Sequence, residues 1–70
     1  MKKSEYLTRI GSNIERLRKK KDYSVSYLGD ICGLGKNNLI PVIKGTRNIT
    51  ISTLVKIASA LEVDPRELLK

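Results

Sequence analysis

Histidine, phenylalanine and tryptophan are absent from these 70 residues, and cysteine occurs once. Each absence closes a class of function. With no histidine and a lone Cys32, the chain can form neither an internal disulfide nor a four-ligand metal cluster. No nucleophile has a base beside it, and the seven carboxylates fall at helix starts or on polar faces rather than in working pairs. The glycines match neither common phosphate-cradling pattern. Catalysis is therefore not expected, and neither a cofactor nor a small-molecule ligand is implied.

No apolar run is long enough to span a bilayer, and the opening MKKSEYLTRIG lacks the apolar stretch of a secretory signal. A cytoplasmic location away from membranes is expected, with Cys32 a small buried thiol rather than a redox centre. Three tyrosines are the only aromatic residues, so the core must be built from Leu, Ile and Val. Seventy residues make one domain, near the lower size at which a single core suffices without staples.

What is abundant is positive charge. The net charge is +7, from 14 basic and 7 acidic residues. It is concentrated at the front: residues 1 to 21 carry eight Lys/Arg against two Glu, whereas residues 48 to 70 are neutral overall. Such a field favours polyanions and steers their approach, although a charge run can also serve solubility alone.

The hydrophobic periodicity is helical throughout. Leu7, Ile10, Ile14 and Leu17 recur at spacings of three and four, predicting a helix over about 4–21 with Ser4 as its cap and Asp22 as its left-handed stop. Ser24 reads as the N-cap of a second helix, 25–32, with Tyr23 packing on Leu28 and with Leu28, Ile31 and Cys32 facing inward. Gly33 ends it. Gly35 then caps a third helix, 36–44, with Leu39, Val42 and Ile43 inward. Thr50 opens a fourth, 51–61, along the stripe Leu54, Ile57, Ala58 and Leu61. Asp64, Pro65 and Glu67 form a start signal with a capping box for a fifth, 65–69. The expected fold is all-α, five short-linked helices in one domain over 1–70, with two of them joined by a tight turn as in a helix-turn-helix.

The succession IGSNIERLRKKK, the helix pair, then KGTRNITISTLVKIASALEVDPRELL resembles the Cro-type helix-turn-helix family of lambda-repressor-like (XRE-family) DNA-binding domains, over about Ile10 to Leu69. The resemblance implies a sequence-specific regulator of double-stranded DNA, a repressor of bacterial or mobile-element origin. Its third helix would enter the major groove while the second crosses the backbone. Lys36, Asn37 and Asn38 stand where the family reads base edges, and Lys with guanine or Asn with adenine suits that place. Lys44, Arg47 and Asn48, with Ser24 and Ser26 at the start of the second helix, stand where phosphates are held. The alternative on the same fold is a protein-interaction module or antitoxin-like partner with weakened DNA binding.

Three positions depart from the family pattern. Val25 replaces a common Gln that contacts phosphate. Ile43 replaces a Glu that pairs with the arginine at Arg18, whose head is then expected to stay in water. Pro41 falls inside the third helix, where it cannot bond the Asn37 carbonyl, so a kink or a shifted register is expected. Because one such domain reads few base pairs, a homodimer is expected. The chain ends just after the fifth helix, which makes Leu61, Val63, Leu68 and Leu69 the candidate interface.

Overall fold

The apolar residues at helical spacing converge on one core. Ile10, Ile14 and Leu17 meet Leu28, Cys32, Leu39, Val42, Leu54, Ile57, Ala58, Leu61 and Leu68, all buried. The computed structural model describes residues 2–70. Its helices are α1 (Lys3–Lys20), α2 (Val25–Cys32), α3 (Lys36–Ile43) and α4 (Ile51–Ala60), followed by a 3₁₀ turn at Pro65–Leu68. No helix among the described residues is long and apolar enough to cross a membrane.

Four helices and a turn replace the expected five helices. Asp64 caps the last element as expected, its Oδ1 accepting the Arg66 N–H at 2.8 Å. The segment then closes with i→i+3 bonds, Glu67 N–H to Asp64 O and Leu69 N–H to Arg66 O. The Glu67 carboxylate pairs with Lys70 instead of completing a capping box. Leu61 and Leu68 are fully buried in this core, so they offer no surface to a second chain. Val63 is half-buried and Leu69 is exposed. Ile31, expected inward, lies 43% exposed.

The start of α1 also differs. Lys2 occupies the N-cap position, and its backbone N–H is held by Glu5 at 3.2 Å. Ser4 lies inside the helix, its carbonyl accepting from the Thr8 hydroxyl. At the other end Asp22 takes the left-handed conformation expected of it, with φ of 62°. The same C-terminal closure recurs twice. Tyr23 N–H reaches Arg18 O, Thr46 N–H reaches Pro41 O, and Val63 N–H reaches Ala58 O, each over a residue of positive φ.

Pro41 does not shift the register of α3, which runs unbroken from its Gly35 cap to Ile43. The proline carbonyl anchors the end of the helix, accepting from both the backbone and the hydroxyl of Thr46. In so short a helix Pro41 removes one internal bond, to Asn37, and the surrounding packing outweighs that loss.

Arg18 does not stay in water. Its side chain is only 15% exposed; Nε donates to Glu15 at 2.7 Å and Nη1 to the Tyr23 carbonyl. Glu15, one turn earlier on α1, supplies the charge that Ile43 cannot. The Arg18 hydrogen bond holds the Glu15 carboxyl below its ordinary range.

Two glycines set the spacing of the helices. A Cβ on Gly29 would stand 2.7 Å from Lys36 N and 2.8 Å from Gly35 C, and one on Gly11 would overlap the Ile43 carbonyl. Both obstacles are backbone, which cannot rotate away. Gly29→Ala should therefore destabilise the protein by about 1–3 kcal/mol in denaturant unfolding, despite the better helix propensity of Ala. Glu15→Gln should cost about 1 kcal/mol at neutral pH, a figure reduced by the partial exposure of the pair. Because the folded-state pKa of Glu15 is lowered, its contribution is complete above the ordinary carboxylate pKa and fades as pH falls through the folded value. Unfolding curves of the two proteins should converge in acid.

Candidate nucleic-acid interface

The α2–α3 pair owes its geometry to three caps and one close contact. Ser24 Oγ accepts the Tyr27 N–H at 3.0 Å and starts α2. Gly33 ends that helix in the left-handed conformation. The chain turns at once, and Gly35 N–H donates to Gly29 O at 2.9 Å. With no side chain on Gly29, the first turn of α3 lies directly on the last turn of α2. Leu34 between them packs against the core.

This arrangement places Lys36, Asn37 and Asn38 on the exposed first turn of α3. Lys36 and Asn37 make no side-chain hydrogen bond among the described residues. Asn38 is held at both ends of its amide. Nδ2 donates to the Leu34 carbonyl at 3.0 Å, and Oδ1 accepts from Arg47 Nη1 at 2.9 Å. Arg47 and Asn48 are exposed in the segment between α3 and α4 and, with Asn38, Thr50 and Thr53, border a groove of about 320 Å³. Lys44 is exposed at the C-terminal end of α3.

At the start of α2, Ser24 and Ser26 are both exposed. Ser24 uses its oxygen as the cap, which leaves its O–H free to donate. Val25, in place of a polar residue, turns inward and packs against the core. Tyr23 and Tyr27 meet edge to face beside it, their ring centroids 4.9 Å apart.

Ionic contacts lie elsewhere. Among the described residues the ion pairs are Arg18–Glu15, Lys21–Glu62, Arg66–Asp64 and Lys70–Glu67. Asp64 is the most strongly perturbed: the side-chain hydrogen bond from Arg66 lowers its pKa to about 2. None of these pairs engages Lys36, Lys44 or Arg47, so no carboxylate neutralises the cations beside α3. An exposed helix start, free amides and hydroxyls, and unneutralised cations on either side form a surface suited to a polyanion.

Residue spacing did not reveal two parts of this site. The Gly29 contact is visible only once the two helices are placed against each other. The Asn38–Arg47 bond joins residues nine apart across a helix end, a separation with no helical signature.

Similarity to known proteins agrees with this geometry. The helix-turn-helix family model HTH_3 matches residues 14–68. The chain is 34% identical to the restriction-modification controller protein C.AhdI from Aeromonas hydrophila, whose structure superposes with a TM-score of 0.85 over 89% of this chain and 94% of that one. An HTH_3 family transcriptional regulator from Vibrio cholerae is 28% identical, with a TM-score of 0.90 over 96% of this chain, which spans 38% of that regulator. The hypothetical transcription factor NHTF from Neisseria is 27% identical, with a TM-score of 0.91 over 100% of this chain and 80% of that one. No curated protein matches in sequence. The chain belongs to the helix-turn-helix (HTH_3) family of DNA-binding transcriptional regulators.

Proposed function

We propose that this protein is a sequence-specific repressor that binds duplex DNA as a homodimer, with α3 in the major groove. The observation that carries the reading is the exposed first turn of α3, flanked by Lys44 and Arg47, with no carboxylate among the described residues paired to any of its cations. Lys36 and Asn37 read base edges; both have free donors, and Asn37 also has a free acceptor. Asn38, with one donor and one acceptor engaged inside the protein, is left out of the base-reading set. Arg47, Asn48 and Lys44 hold phosphates on one side, and the Ser24 and Ser26 hydroxyls with the first N–H groups of α2 hold one on the other. Bound at a promoter, the protein represses by occlusion. The similarity to C.AhdI supports control of a restriction-modification system as its setting.

A protein-interaction role is the second reading. It draws on the exposed apolar residues Ile31, Ile51 and Val55 on α2 and α4. Salt separates the two, since phosphate contacts weaken steeply with ionic strength and apolar contacts do not.

Selection from random duplex DNA should return a palindrome with half-sites about one helical turn apart; the absence of any enriched sequence would reject the reading. Asn37→Ala should change the selected bases at one position of each half-site, at a cost of about 1–3 kcal/mol. Arg47→Ala should weaken binding on every sequence and flatten the salt slope by about one. The dimer is assigned to Val63 and Leu69, the candidates not buried in the core. Leu69→Lys should shift the sedimentation coefficient toward that of a single chain, and an unchanged value would discard this interface.

A further inference from the structure

We infer that Asn38 is a positioning residue: its amide bridges the helix-turn-helix turn to Arg47 and so sets the distance between the base-reading turn and the phosphate clamp. This inference rests on the duplex-binding reading above and assigns a separate role within it. The direction of the bridge is unambiguous. A carbonyl cannot donate and a guanidinium cannot accept, so Nδ2 must face Leu34 O and Oδ1 must face Arg47 Nη1. Leu34 O belongs to the turn that also carries the Gly35-to-Gly29 bond, so the anchor is itself fixed. Arg47 lies on an exposed segment between helices and has no carboxylate partner among the described residues. The Asn38 hydrogen bond therefore restrains a long, otherwise mobile side chain.

The chemistry of the holder matters. A neutral amide fixes the guanidinium through one of its five N–H groups and leaves the full positive charge and the other donors for a phosphate. A carboxylate in its place would hold the arginine more tightly while cancelling the charge that the phosphate requires. Arg47 lines an open groove together with Asn38, Asn48 and Thr50. With the clamp fixed in advance, less side-chain freedom is lost when DNA binds.

The test combines affinity, salt slope and base preference. Asn38→Ala should lower affinity about 3- to 10-fold on all duplexes, the effect of ordering one long side chain. It should leave the selected sequence and the salt slope unchanged, because Arg47 keeps its charge. Asn38→Ala combined with Arg47→Ala should bind within about twofold of Arg47→Ala alone, since removing the holder of an absent side chain changes nothing further. A changed base preference, or a double variant weaker than Arg47→Ala by the full Asn38→Ala factor, would overturn the inference. If the Ala variant unfolds at a lower temperature than the parent, Asn38→Ser provides the same comparison. NMR order parameters of the Arg47 side chain in the DNA-free protein give a readout independent of the regulator reading. They should fall in Asn38→Ala, and equal values in the two proteins would sink the bridge even if no duplex were bound.

Discussion

The hydrogen bond from Gly35 N–H to Gly29 O, made possible by the missing side chain on Gly29, is the constraint on which the interface depends. It brings the backbone of α3 onto that of α2 and so sets where the first turn of α3, with Lys36 and Asn37, lies. Ser24 fixes where α2 begins, and Gly33 fixes where it ends. The opening of α3 is then determined to within a residue. A binding surface built this way needs no large rearrangement of its backbone, only an electrostatic field and a few polar ends. Lys36, Lys44 and Arg47, none of them in an ion pair among the described residues, supply the field.

Behind the helix pair, α1 and α4 form the support. Gly11 lets α1 approach the last turn of α3 as closely as Gly29 lets α2 approach the first. Helix α3 is thus gripped at both ends by backbone contacts and along its inner face by Leu39 and Val42. This grip explains how α3 tolerates Pro41. Tertiary packing, rather than the internal hydrogen bonds of an eight-residue segment, holds it helical.

The capped elements were legible in the sequence because a cap is local chemistry. Ser24, Gly33, Gly35, Thr50 and Asp64 all act where side-chain type and spacing predict. Length was less legible: Asp64 and Pro65 announce a start but do not say that only four residues follow in a tighter helix. Ser4 was a plausible cap that lost to Lys2, because Glu5 reaches back to the Lys2 N–H. Periodicity found the apolar face of Leu61 and Leu68 but could not say whether the core or a second chain covers it. The family pattern foretold a partner for Arg18 at position 43, and Ile43 concealed that the partner had moved to Glu15 on the same helix. The side-chain bridge from Asn38 to Arg47 had no pattern to announce it, since only tertiary placement brings those residues together.

Moving the Arg18 partner within α1 has a wider effect. Where a charged side chain on α3 would have tied that helix to α1, this chain joins them through a glycine, an isoleucine backbone and aliphatic packing. Added electrolyte barely perturbs such a seam. Scaffold integrity and ligand grip therefore answer to different variables, and a rise in ionic strength can strip the polymer from its reader while leaving the reader's shape untouched.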